Sequence, residues 1–240
     1  MLFVDHEGPG VANEDPAVRA AWIVVTGLDG SGKSTLVASL AKERVARQFR
    51  LPYHTFVRPA LAQSGSGLPF GDVHTDRLLF ALDARLANYA IREFRGAGVD
   101  LVSQRGWMDN FIFGAVQGVA YEQTEVMLRS AELERPTAHI FLIAESVVAL
   151  SRIEGSAYRD KYETAEFIAL QYRETKRFFA AVKEGVPALK SFADIPAILI
   201  DTSHMSQQEL HANALRFLTT LKDPCCTSVI ARGSEHESRA

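Results

Sequence analysis

The sequence has little cysteine: of its 240 residues only Cys225 and Cys226 are cysteines. Neighbours in the chain cannot staple distant segments, so no disulfide framework is expected. A reduced, cytoplasmic protein is the simplest expectation. No apolar run approaches the ~20 residues that a membrane span requires. The opening residues, Met1 to Glu7, lack a basic stretch followed by a long apolar core, which predicts no secretory signal. No charge of one sign dominates either. With 26 Lys and Arg against 29 Asp and Glu, the formal charge is -3, so no overall field favours nucleic acid or an anionic membrane. The seven histidines show no metal-ligand spacing, and no internal repeat is visible.

What is present is one sharply defined stretch, Gly27-Leu28-Asp29-Gly30-Ser31-Gly32-Lys33-Ser34-Thr35. It fits the phosphate-binding pattern G-x-x-x-x-G-K-[ST]. Its glycines let the backbone curl so that successive N–H groups point at the phosphates of a nucleotide. Lys33 adds a point charge, and the Ser34 hydroxyl is placed to ligate Mg²⁺. The flanks agree. Trp22 to Val25 is a short β-rich apolar run, and Leu36 to Glu43 continues with helical spacing. A helix N-terminus there also attracts phosphate. Lys33 is expected to be half exposed in an empty site.

The rest of the chain alternates in the same manner. A length of 240 residues with 47% hydrophobic content suffices for one core and a small lid. Gly8 to Pro16 reads as part of a flexible arm over 1–20. The phosphate-loop helix is expected to run to about Arg50 and end near Pro52. A second strand then covers Tyr53 to Val57, with Arg58-Pro59 at its end. Ala62 to Gly71 reads as a loop. A helix from about Asp76 to Arg95 presents Leu78, Leu79, Leu82, Leu86 and Ile91 on one face.

Val99 to Ser103 is the third strand, ending in Gln104-Arg105. Helices follow over Trp107 to Val119 and Glu122 to Glu134. His139 to Ile143 is the fourth strand, and a helix runs on to Arg152. A lid is expected over about 152–162, then a helix from about Tyr162 to Glu184. Ala197 to Ile200 is the fifth strand, and a last helix ends near Lys222. Residues 223–240 read as a polar, flexible tail. This pattern predicts an α/β fold: a five-stranded parallel sheet flanked by helices, over 21–222, with ligands at the strands' C-terminal ends.

The order of these motifs resembles thymidylate kinases, and P-loop nucleoside monophosphate kinases more broadly, from about Trp22 to Leu221. Val24 to Thr35 is similar to V-x-E-G-x-D-G-x-G-K-[ST]-T, with Thr26 where relatives often have Glu. Arg58-Pro59 is similar to the arginine segment after the second strand. Leu78-Leu79-Phe80-Ala81 matches L-L-F-[AS] of the acceptor-site helix. Gly98 to Arg105 resembles G-V-x-L-V-x-D-R, and Lys161-Tyr162-Glu163 with Phe167 resembles R-Y-E-x-x-x-F of the lid.

The resemblance implies ATP and Mg²⁺ as cofactors, a small-molecule nucleotide acceptor, and roles residue by residue. Gly27, Asp29, Gly30, Ser31, Gly32, Lys33, Ser34 and Thr35 would hold ATP, with Ser34 and Asp29 at the metal. Arg58 would grip the acceptor's phosphate, Arg105 would bind that phosphate or the transferring oxygens, and Asp29, Gln104 and Tyr162 would also contact the substrate. Phe80 would stack on the acceptor base; on an apolar helix face it reads equally as core. Arg85 would contact the base, although relatives place that arginine where this chain has Ala84. Arg152, Arg159 and Lys161 would clamp the transferring phosphate with Lys33. Gln104 stands where the family has Asp, which leaves Asp29 or Asp109 as the nearest carboxylate. Relatives that pack through helices make a homodimer compatible with the sequence.

The activity implied is transfer of a γ-phosphoryl group to a nucleoside monophosphate, with thymidylate or a related pyrimidine nucleotide first. A kinase for a nucleoside or specialised-metabolite hydroxyl, or a low-turnover nucleotide-binding protein, is the alternative.

Overall fold

Trp22–Gly27 forms β1, and all its residues are buried, as expected of a central parallel strand covered on both faces. A computed structural model of the chain describes residues 20–54, 72–129, 133–154, 164–221 and 229–231. After β1 come α1 (Lys33–Glu43), β2 (Arg47–Arg50), α2 (Val73–Gly96) and β3 (Leu101–Gln104). Then follow α3 (Asp109–Val116), α4 (Tyr121–Arg129), β4 (Ala138–Ile143), α5 (Ser146–Ile153) and α6 (Ala165–Glu184). A 3-10 turn (Pro187–Phe192), β5 (Ala197–Asp201), α7 (Gln207–Thr220) and β6 (Val229–Ala231) complete the order. All pairings are parallel, in the order β2-β3-β1-β4-β5-β6. The expected parallel sheet flanked by helices is thus present, with four of its five expected strands in place. The short β6 adds an edge beside β5, inside the stretch read as a tail.

Alternation along the strands sends side chains into two cores. Trp22, Val24, Phe141 and Leu199 pack with Phe111, Phe178 and Phe192 on one face. Ile23, Val25, Ile140 and Ile198 pack with Leu36 and Leu40 of α1 and Leu210 and Phe217 of α7 on the other. The sheet is fixed between these layers, so the loops at its C-terminal edge start from rigid ends.

Two expectations are corrected. Helix α1 stops at Glu43 rather than near Arg50. Val45 takes a positive φ of 53°, and the Ala46 N–H returns to the Ala41 carbonyl at 2.8 Å, which closes the helix. The second strand is therefore Arg47–Arg50, ahead of the expected Tyr53 to Val57. It is an edge strand on which only Phe49 is buried; polar edge strands guard against pairing with other chains and carry no apolar alternation to read.

The second correction concerns α2. Its leucines do not share the buried face: Leu78 is 54% and Leu82 47% exposed. The face turned inward carries Asp76, Arg77, Asp83, Ala84, Ala87 and Asn88 beside the expected Ile91. Asp72 caps this helix, accepting from the Thr75 N–H at 2.8 Å, as an N-cap carboxylate should. The expected residues Arg58, Arg159, Lys161 and Tyr162, and most of the arm and lid, lie outside the described residues.

Candidate active site

The loop between β1 and α1 curls as its glycines allow. Gly30 has φ +78°, and a Cβ there would land on the Ala149 carbonyl. Gly32, at φ 91°, caps α1 with its left-handed backbone, a geometry that glycine adopts without penalty. The Lys33 side chain folds back over the loop. Its Nζ donates to the Leu28 carbonyl at 2.7 Å and to Asp29 Oδ1 at 3.2 Å. It is only 4% exposed, not half exposed, because these two acceptors hold it inside.

Asp29 links two cavities. Its Oδ1 also accepts from the Arg105 guanidinium at 3.2 Å. Burial pushes the Asp29 carboxyl up, but Lys33 and Arg105 outweigh it and hold the group well below the usual carboxylate range. Burial conversely pulls the Lys33 ammonium down, against the opposing pull of Asp29. One cavity lies over the loop, lined by Lys33, Ser34, Thr35, Gln104, Arg152 and Thr202 among others. The second lies beyond Asp29 and Arg105, under α2 and α3, with Arg77, Phe80, Asp83, Asp109 and Phe113 in its wall.

Arg105 itself sits in the left-handed region, φ 69°. Its N–H is held by the Val25 carbonyl at 2.9 Å, and its guanidinium lies 5.0 Å from the Phe113 ring centre. Strain of this kind persists only where the surroundings over-determine it.

No protein-family model matches the chain. The chain is 27% identical over 198 residues to a probable thymidylate kinase of Pyrobaculum calidifontis, covering 74% of this chain and 95% of the relative. It is similar in fold to a thymidylate kinase of Candida albicans, with a TM-score of 0.64, 17% identity, and 85% and 93% of the two chains covered. A deoxyadenosine kinase of M. mycoides, solved with dCMP and a flexible dCDP, gives a TM-score of 0.60 at 17% identity, with 83% and 99% covered. In sequence the chain is thus similar to probable thymidylate kinases, and in fold to nucleotide and nucleoside kinases.

Set beside those kinases, most expected residues converge and a few do not. Gly27 closes β1, and the stretch from Asp29 to Thr35 lines the loop cavity with Gln104 and Arg152. Phe80 is half-buried in the wall of the second cavity, not in the core, with the Arg77 guanidinium 4.5 Å from its ring centre. Arg85 is exposed and does not line that cavity; Arg77, which the sequence reading missed, does. Arg152 is tied down rather than free, donating to the Thr202 carbonyl at 2.8 Å and to the Gly30 carbonyl at 3.3 Å. Arg50, at the true end of β2, lines the loop cavity.

Gln104 and Asp109, one of the two carboxylates named above, both lie at this site. Gln104 accepts from the Ser34 hydroxyl at 3.3 Å. Asp109 stands behind Arg105, with its Oδ2 accepting from the Gly106 N–H and from the Thr26 hydroxyl, each at 2.8 Å. Thr26 Oγ1 is in turn 2.7 Å from His139 Nε2. With Asp109 ionised, Thr26 gives it its one proton and His139 donates to Thr26 through Nε2. Burial pulls the His139 imidazole down to about 3, keeping it neutral.

That burial has a pH signature. The unfolded chain protonates His139 near the ordinary 6.5, so the unfolded state takes the proton first. The contribution is fully present above about pH 6.5 and is lost as pH falls toward 3, about 2–3 kcal/mol of it by pH 4.5. His139→Gln, which keeps the donor to Thr26, is expected to flatten stability against pH between 4.5 and 6.5. Identical slopes in urea titrations of the two proteins would remove this account.

Asp83 organises the approach to the second cavity. It is 1% exposed and accepts from the Tyr53 N–H at 2.8 Å and the His54 N–H at 2.9 Å. Asp83→Ala is expected to cost about 2–3 kcal/mol, lowering Tm by roughly 5–10 °C. It should raise the acceptor's KM and leave the donor's KM unchanged. Steady-state kinetics at varied acceptor would show no change if the segment after β2 is irrelevant to that cavity.

Proposed function

We propose that the protein transfers the γ-phosphoryl group of ATP to a nucleoside monophosphate, thymidylate or a related pyrimidine nucleotide first, giving the diphosphate. One observation carries this reading. Lys33 and Arg105 share the Asp29 oxygen where the two cavities meet, so the cations are gathered where a phosphoryl group would pass between donor and acceptor. Transfer of this kind needs in-line placement and positive charge on the equatorial oxygens more than covalent chemistry from the protein. The loop amides and Lys33 would bind the donor's phosphates. Arg105 would hold the acceptor's phosphate, and Phe80 would stack on its base.

The Ser34 hydroxyl and Gln104 carbonyl offer neutral oxygens beside the loop. That suits a Mg²⁺ ion, which keeps several waters and takes phosphate oxygens for the rest; it would supply charge neutralisation of the donor. Arg159, Lys161 and Tyr162 are assigned to a closing lid by resemblance, and Arg58 to the acceptor's phosphate. A cytoplasmic setting accords with the described helices, none of which is long and apolar enough to cross a membrane. The exposed Leu78, Leu82 and Tyr89 on α2 are the surface on which a second copy would pack; sedimentation at varied concentration tests that.

A second reading has one observation behind it. Asp109 places a carboxylate in the wall of the acceptor cavity, where it could take a proton from a hydroxyl acceptor, as kinases for free hydroxyls require. Matched pairs of nucleosides and their monophosphates decide between the two. Faster ADP release with monophosphates is expected, and faster release with nucleosides would overturn the first reading. No ADP release with either would point to a low-turnover nucleotide-binding protein.

A further inference from the structure

The wall of the second cavity includes buried polar atoms that no described residue satisfies, among them Asp109 Oδ1, Asn110 Oδ1 and Arg105 Nε. Asp109 is 6% exposed and forms part of the cavity wall. Its Oδ2 is doubly engaged by Gly106 and Thr26. Its Oδ1 is buried and has no hydrogen-bond partner among the described residues. The carboxyl cannot turn to correct this without breaking both bonds, and Thr26 is itself pinned by His139. Burying an acceptor oxygen unpaired is costly, and such groups in native proteins call for an explanation.

The other carboxylates in the wall are differently placed. Asp83 spends both oxygens on Tyr53 and His54, and Asp29 is held between Lys33 and Arg105. Asp109 Oδ1 is therefore the one carboxylate oxygen of the three seen to lack a partner among the described residues, beside the amide oxygen of Asn110.

We propose that Asp109 is a specificity-determining residue whose Oδ1 accepts a hydrogen bond from an N–H or O–H of the acceptor's nucleoside part. The proposal rests on reading this cavity as the acceptor site. It also orients the acceptor. A phosphate dianion offers no donor and is repelled by a carboxylate, so it turns toward Arg105, while a base N–H or a sugar hydroxyl faces Asp109. Burial pushes the Asp109 carboxyl up, with Arg105 opposing; in either protonation state Oδ1 retains acceptor capacity. A site built around such a bond discriminates strongly against analogues lacking the donor, because the protein's own group is then left unpaired.

The test compares kcat/KM for the best acceptor of the panel with two analogues, one lacking the sugar 3′-hydroxyl and one methylated at the base N–H. Each is run on the wild-type protein and on Asp109→Asn, with Asp109→Ser as a second variant should the first fold poorly. For the wild type, one analogue is expected to lose at least about 100-fold, and which one names the donor. In the variants that penalty should shrink to within a few-fold while kcat/KM for the parent falls. Two results overturn the proposal: wild-type protein that accepts both analogues within about threefold of the parent, or variants that lose activity on parent and analogue alike and keep the penalty. If the accepted substrate proves to be a nucleoside, the reading of the product falls. The same ratios measured on that nucleoside then decide Asp109 by the same criteria.

Discussion

Lys33→Ala is expected to lower turnover by about 10³-fold or more while the fold survives. The size follows from the work a charge does on a transferring phosphoryl group, where one inserted cation is worth on the order of 10³–10⁵ in rate. Survival of the fold follows from the site. Lys33 opens α1, a position where alanine is at least as good a helix former. Its bonds run to the Leu28 carbonyl and Asp29, and Asp29 keeps Arg105 when the lysine is gone. Removing a buried cation also removes its desolvation cost, which offsets part of the lost bonding. The fall should be in kcat more than in donor affinity, since the charge acts most where charge develops. Activity within tenfold of the wild type, in a protein with unchanged circular dichroism, would dislodge the loop from its assigned role.

Arg105 lets the role proposed for it in transfer be separated from its part in stability at one position. Arg105→Ala and Arg105→Gly both remove the guanidinium from Asp29, and both are expected to lose activity on the order of 10³-fold, judged by the same scale of charge stabilisation. They should differ in stability. With φ at 69°, a residue carrying a Cβ pays about 1–2 kcal/mol that glycine does not, while glycine gives back about 0.5–1 kcal/mol through the unfolded chain. The glycine variant should therefore unfold at higher denaturant than the alanine variant, by up to about 1.5 kcal/mol. An alanine variant as stable as the glycine one would mean that the backbone there is unstrained.

How much of this was legible in the sequence depends on how local each feature is. The phosphate loop is a run of neighbouring residues whose geometry is a backbone property of its glycines, so reading it required nothing from the rest of the chain. The central strands were also legible, because burial on both faces leaves continuous apolar runs such as Trp22 to Val25. Strand β2 was not, since an edge strand of Arg47, Gln48, Phe49 and Arg50 has one inward residue and no period. The leucines of α2 misled because helical spacing shows which residues share a face but not which face the protein covers. The chain of His139, Thr26 and Asp109 joins residues 113 and 83 positions apart. Only the folded sheet brings them together; the sequence offered Asp109 merely as a carboxylate near a missing one.

Helix α2 carries Arg77, Phe80 and Asp83 into the second cavity and shows Leu78, Leu82 and Tyr89 on its other side. Because a helix moves as a rod, these two sides cannot shift independently. If a second copy settles on the outer leucines, it would then bear on the angle at which Phe80 meets the proposed acceptor. Catalytic competence per molecule would then depend on how crowded the solution is with copies of the chain. Specific activity that declines on dilution would reveal that dependence, whereas a constant value would show that the inner side holds its geometry unaided.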